Sequence, residues 1–261
     1  MTERLSPHEG IVRTAKRLIL PNYDSAVRAR ESVRDNIAYL RDVYGLTVEM
    51  RGQTEEDEQS LAINKLKLIE AGDATRVLRK EISKYPPEFI EQCRVKAIRF
   101  VFSLKQGENV IDGVTYPDGT VYVVATPLVN NTIHHELFHA SDYNQHSRMN
   151  PHLKDFGRVL EYRYWNLVNH NGYVGDKYEG CDSTGFATDY GRMNVYEDRA
   201  TVAELLMTYP QVATIRAAED PVLSDKIDRI KTIMRQRSGG RMNLRYFSDL
   251  TQGKVREGYW G

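Results

Sequence analysis

Asn130-Asn131-Thr132-Ile133-His134-His135-Glu136-Leu137-Phe138-His139-Ala140-Ser141-Asp142-Tyr143 is the stretch on which the reading of this chain turns. Asn130 or Asn131 can cap a helix from Thr132 to about Tyr143, because an Asn side chain accepts the free N–H groups of a first turn. On such a helix residues four apart share a face and lie about 6 Å apart along the axis. His135 and His139 therefore direct two imidazoles at one point, with the carboxylate of Glu136 beside them. Ile133, Leu137, Phe138 and Ala140 give the helix an apolar side to pack. His134 points about 100° away from His135 and reads as an exposed or structural residue.

Upstream, Tyr116-Pro117-Asp118-Gly119 is a turn signal and Thr120-Val121-Tyr122-Val123-Val124 is strongly β-forming, which predicts a hairpin leading into the helix. The strand near Val121 to Ala125 is expected at an antiparallel edge of the sheet, open to an extended peptide. Val95, Ala97, Ile98, Phe100, Val101, Phe102 and Leu104 form a β-rich run that reads as a central strand. Before it the chain is mainly helical. Ser6-Pro7-His8-Glu9 has a cap, a first-turn Pro and a Glu three residues on. Val27, Val33, Ile37, Leu40 and Val43 recur at helical spacing until Gly45. Leu46 to Met50 suits a short strand, and Thr54 with Asp57 opens a helix that reaches Gly72 and resumes from Ala74 until Pro86-Pro87. Downstream, residues 169–194 are rich in Gly, Asp and Tyr and read as a long loop, followed by helices from about Val195 to Met207 and from Pro221 to Arg237. The expected architecture is α+β: a helical region over residues 1–94 packed on a catalytic unit over 95–261, with a small mixed sheet, the active-site helix and a helical C-terminal subdomain.

Composition narrows the function. The 261 residues carry 36 basic and 36 acidic side chains, which argues against a nucleic-acid binder, since those gather an excess of Lys and Arg. Cys93 and Cys181 are far apart and form no C-x-x-C pair, so neither a disulfide framework nor a thiolate zinc site is indicated. Met1 to Leu20 alternates charged and apolar residues, and the longest apolar runs are strand-sized, so neither a signal peptide nor a membrane span is expected. The default compartment is cytoplasmic, with export lacking an apolar signal as the alternative.

The spacing His135-Glu136-x-x-His139 is that of zinc hydrolases, where a carboxylate next to the first imidazole takes a proton from water on the metal. A third ligand is needed. In the metzincin pattern it comes six residues after the second His with a Gly between, but Gln145 and Asp142 occupy those positions and His146 falls one residue late. The other source is an acid on a later helix, for which Val195-Tyr196-Glu197-Asp198-Arg199-Ala200 begins a suitable one. Asp182 and Asp189 in the long loop are further acids within that region. Asp142, three residues after His139, suits a partner that fixes an imidazole tautomer, with Asp198 and Glu204 as alternatives.

The motif through Tyr143, followed by Tyr190 and, seven residues on, Glu197, resembles the gluzincin branch of zinc metallopeptidases that includes anthrax lethal factor and the Pro-Pro endopeptidases. The resemblance covers about Thr120 to Tyr143 and Tyr190 to Glu204. It implies a zincin-like fold, one zinc per chain held by His135, His139 and Glu197, Glu136 as base and Tyr190 near the oxyanion. Phe138 stands where those relatives usually carry Gly, a bulk expected to narrow the space beside the metal. The function expected is a zinc-dependent endopeptidase acting on protein or peptide. The alternatives are a zinc hydrolase of a non-peptide amide and a catalytically silent zincin serving as a binding or regulatory module; the intact Glu136 argues against the last.

Overall fold

The computed structural model describes residues 23–50, 61–106, 109–126, 129–148, 164–165, 173–175 and 184–260. The helix start at Ser6–Glu9, the opening at Thr54 and Asp57, Cys181, Asp182 and much of the loop at 169–194 lie outside the described residues.

Helix α1 (Tyr23–Tyr44) ends where Gly45 turns to φ +67° and its N–H returns to the Arg41 carbonyl at 2.9 Å. That conformation costs a glycine nothing. Val43 was expected on the apolar face, but it is 43% exposed, while Leu40 is fully buried. Strand β1 (Thr47–Met50) follows, and then helix α2 (Leu61–Ile82) runs unbroken through Gly72, which packs against Ala29 of α1. The two prolines end one helix and start the next. Pro86 caps α3 (Pro87–Cys93), in which Pro87 takes a first-turn position where the missing N–H costs nothing.

The expected central strand is β2 (Ala97–Val101), which is followed by the short pair β3 (Lys105–Gln106) and β4 (Asn109–Val110). The expected hairpin is formed by β5 (Gly113–Thr115) and β6 (Thr120–Val124), joined at Tyr116–Gly119; the Asp118 carboxylate accepts from the Thr120 N–H at 2.8 Å. The four-stranded sheet has the order β1-β2-β6-β5, with β1, β2 and β6 parallel and β5 antiparallel. Strand β6 is therefore internal, because β2 occupies its second side; the edge next to the helix belongs to β5. Register aligns Ile98 with Val121 and Phe100 with Val123, four side chains at most 1% exposed on one sheet face. The chain closes with α4 (Val129–Arg148), a 3₁₀ turn (Asp189–Arg192), α5 (Val195–Thr208), α6 (Pro210–Glu219), α7 (Pro221–Arg237) and α8 (Leu244–Thr251). One apolar core runs from Leu40 to Val255 and takes in Ile133, Leu137 and Phe138 of α4. Among the described residues, no helix is long and apolar enough to cross a membrane.

Helix α4 is pinned by buried polar groups. Asp142 takes Arg199 of α5 at 3.0 Å and Arg237 of α7 at 2.9 Å, and Arg237 also donates to the Ser141 hydroxyl at 2.7 Å. On another side His134, fully buried, meets the Tyr85 hydroxyl at 2.8 Å through Nδ1 and Glu81 at 2.9 Å through Nε2. A carboxylate can only accept, so Nε2 carries the proton and Tyr85 donates to Nδ1. Burial pushes the pKa of His134 down, beyond what Glu81 restores, and the ring is held as a neutral structural group.

Burial by itself would raise the Asp142 carboxyl, but Arg199 and Arg237 outweigh it and hold the group below its ordinary 3.8. Its contribution to stability is thus present in full above that value and lost as pH falls below it. We expect Asp142→Ala to lower the free energy of unfolding by about 3–5 kcal/mol at pH 7, because two guanidinium groups lose the anion they share in a dry site. Urea denaturation of both proteins with zinc present measures this, and a loss below about 1 kcal/mol, the size of a surface pair, would contradict it.

Candidate metal centre

The site begins with the pitch of α4. His135 and His139 lie one turn apart and bring their Nε2 atoms within 3.0 Å of each other. The third group comes from α5, whose start is set by Asn194: its side-chain oxygen accepts the N–H of Tyr196 at 2.9 Å and of Glu197 at 3.1 Å. Asn194 and Glu197 have the spacing of a capping box. Here, however, Glu197 sends Oε2 across to the imidazoles, 2.9 Å from His135 Nε2 and 3.3 Å from His139 Nε2. Three ligands at the usual 2.0–2.1 Å from a tetrahedral zinc lie about 3.3–3.4 Å apart, so these donor atoms need to spread by only a few tenths of an ångström. His135, His139 and Glu197 form the one His/Cys/Asp/Glu group with metal-ligand geometry among the described residues. Asp189 lies outside it.

The electrostatics favour a cation at the same point. Burial would lower the pKa of His135, yet Glu197, Glu204 and Glu136 more than reverse this and bring it to about 10. Burial would raise the Glu197 carboxyl, but the two imidazoles hold it well below the usual carboxylate range. A proton on His135 Nε2 and a zinc ion there are alternatives stabilised by the same carboxylates, so metal uptake displaces protons.

Glu204, two turns beyond Glu197 on α5, reaches His135 Nδ1 at 3.2 Å. It occupies the position of the carboxylate that orients a ligand imidazole. Asp142, the first choice for that duty from sequence, gives its contacts to Arg199 and Arg237. The alternation of acids at positions 197 and 204 along one face of α5 was the available sequence signal. Phe138, expected to crowd the metal, is 1% exposed and lies in the core, with the Arg237 guanidinium 5.5 Å from its ring.

Glu136 is 5% exposed, and its Oε2 accepts the Thr115 hydroxyl of β5 at 2.6 Å. Nothing in local spacing marked Thr115, which is twenty-one residues away and meets α4 only through the sheet. Tyr190 is carried by the 3₁₀ turn, which packs closely on α5 because Gly191 has no Cβ; one built there would stand 2.7 Å from the Thr201 hydroxyl. Its ring centroid is 6.0 Å from that of His135 and the side chain is 40% exposed. Tyr143, one turn past His139, stacks on that imidazole at 6.4 Å between centroids, a pairing that the i, i+4 spacing foreshadowed. These side chains line a single cleft of about 780 Å³ between β5 and the start of α5.

No protein-family model and no curated protein sequence matches the chain. Among solved structures it is similar to a candidate zinc-binding metallopeptidase from Bacteroides caccae, with 14% identity, a TM-score of 0.54, and coverage of 87% of this chain and 93% of that one. At this identity the likeness is one of fold, and it agrees with an α+β zincin-like architecture.

Glu197→Ala should abolish tight zinc binding, whereas Glu204→Ala should weaken it about 10–100-fold, since one would remove a ligand and the other an orienting partner. Competition against a chromophoric chelator reads both. Equal affinities for the Glu197 variant and the wild type would move the third ligand to another acid.

Proposed function

We propose that this chain is a zinc-dependent endopeptidase that hydrolyses peptide bonds with water. The observation that carries this reading is the convergence of His135, His139 and Glu197 within 2.9–3.3 Å, with the buried carboxylate of Glu136 on the adjoining residue and all four on one cleft. Zinc held there would supply Lewis acidity, lowering the pKa of water toward neutrality and polarising a carbonyl. Glu136 accepts the proton of the attacking water and delivers it to the departing amine nitrogen. Tyr190 donates its O–H to the carbonyl oxygen as negative charge develops.

The cleft also supports a choice among peptidases. Its described lining includes no Lys or Arg, the groups that would hold a substrate's terminal carboxylate, which favours cutting within a chain over removing a C-terminal residue. On one side runs β5, paired with β6 alone among the described strands, so an extended peptide could add to its free edge. Finer placement in the lethal-factor branch is supported by the spacing of Tyr190 and Glu197 after the His135–His139 motif.

Incubating the zinc-loaded protein with a proteome-derived peptide library, followed by mass-spectrometric detection of new termini, tests the reading. Glu136→Gln should retain zinc and lose nearly all cleavage, since the amide keeps the shape of the side chain and loses its basicity. Cleavage by the Gln variant at the wild-type rate would remove Glu136 from the chemistry. A zinc-replete wild type that cuts no peptide would favour a non-peptide amide or a binding role.

Tyr190→Phe should lower kcat and kcat/KM together by roughly a hundredfold, about 3 kcal/mol, with zinc content unchanged, because one donor to the oxyanion is lost. Equal kcat on a peptide found in the library would leave Tyr190 as a wall of the cleft.

A further inference from the structure

We propose that Thr115, with Gly113 two residues before it, positions the Glu136 carboxylate: edge strand β5 is a cradle for the base. The inference rests on the reading of Glu136 as the proton acceptor. Residues two apart on a strand point to one face, and here that face meets α4. Thr115 is 6% exposed and faces two acceptors of the same residue, Glu136 Oε2 at 2.6 Å and the Glu136 main-chain oxygen at 2.9 Å. The hydroxyl thus ties the end of the side chain to its own backbone. Threonine suits this task because branching at Cβ restricts χ1, and pairing opposite Val121 holds its main chain.

Gly113 completes the fit. A Cβ built there would lie 2.5 Å from Thr132 Cγ2, 2.9 Å from Glu136 Oε1 and 3.0 Å from Glu136 Cγ. Two of these contacts are with the carboxylate side chain itself, so a larger residue would press on Thr132 and on the base together. With Oε2 engaged by Thr115, Oε1 is the oxygen without a side-chain donor among the described residues, and it is the one we assign to the proton. A general base acts only from a defined distance and direction, and loss of its support should appear in the chemical step.

The competing account is that Thr115 merely packs strand against helix. Valine keeps the shape of threonine without the hydroxyl, whereas serine keeps the hydroxyl without the methyl, so the two accounts predict opposite orders. The test uses full-length zinc-loaded protein and the peptide cleaved fastest in the library, with kcat, KM, zinc content and thermal midpoint measured for wild type, Thr115→Val, Thr115→Ser and Glu136→Gln. A crystal structure of Thr115→Val adds a readout independent of turnover. Expected are a kcat about ten- to a hundredfold lower for the Val variant with KM and zinc content unchanged, near wild-type kcat for the Ser variant, and a Glu136 carboxylate rotated away in the Val structure. A Val variant as fast as wild type, or a Ser variant slower than Val, overturns the inference while an inactive Glu136→Gln leaves the peptidase reading standing. Loss of zinc, or a change confined to KM, in the Val variant also overturns it, by assigning Thr115 to metal retention or to the substrate wall. A fully active Glu136→Gln overturns both readings together.

Discussion

Helix α4 lies in the core while carrying five polar residues under 9% exposed: His134, His135, Glu136, Ser141 and Asp142. A buried polar group without a partner costs several times what a hydrogen bond gains, so each of the five dictates something about a neighbouring element. His134 requires Glu81 at the end of α2 and Tyr85 just beyond it, Ser141 and Asp142 require Arg237 on α7, and Asp142 also takes Arg199 on α5. His135 requires the two glutamates of α5, and Glu136 requires the hydroxyl on β5. Strand, helix and helical subdomain are thus assembled around one helix by the need to satisfy it.

The partners are sorted by charge. Behind α4 the acid of the helix is met by arginines, and this joint is closed to water. In front, the imidazoles are met by carboxylates, which leaves the donor set rich in negative charge and suited to a divalent cation. The same α5 serves both sides, presenting Glu197 and Glu204 forward and Arg199 backward. Behind the first turn of α5 the wholly buried pair Asp198 and Lys226, 2.8 Å apart, fastens it to α7. A carboxylate on a helix anchored in this way would need little reorganisation to bind a metal, which is where preorganised sites gain affinity.

The sheet contributes through its shortest member. Three parallel-aligned or internal strands supply apolar core, whereas the three residues of β5 supply an edge, a hydroxyl and a gap without a side chain. Its hairpin partner β6 is held on both sides, so the edge beside the cleft is narrow but firmly seated.

What the residues alone determined was whatever follows from local periodicity and backbone preference: the helix with two imidazoles one turn apart, the turn at Tyr116–Gly119 with its flanking strands, the helix stop at Gly45 and the break at Pro86-Pro87; the cap expected at Asn130 or Asn131 does not form, because α4 already starts at Val129 and both residues lie in its first turn. Each involves residues within one or two turns of one another, where 3.6- and 2-residue spacing governs who meets whom. The resemblance extended this to Glu197, whose carboxylate the tertiary structure brings to the imidazoles although its spacing from Asn194 equally suits a helix cap. Only the packing of distant elements decided that β6 is internal and β5 the edge, that Glu204 and not Asp142 meets His135, that Phe138 turns to the core, and that Thr115 meets the Glu136 carboxylate. The choice of Glu204 over Asp142 depends on which buried charge lies nearest which partner in space, and desolvation selects it among several acids that the chain order leaves equivalent, whereas the strand order and the place of Phe138 follow from backbone pairing and apolar packing.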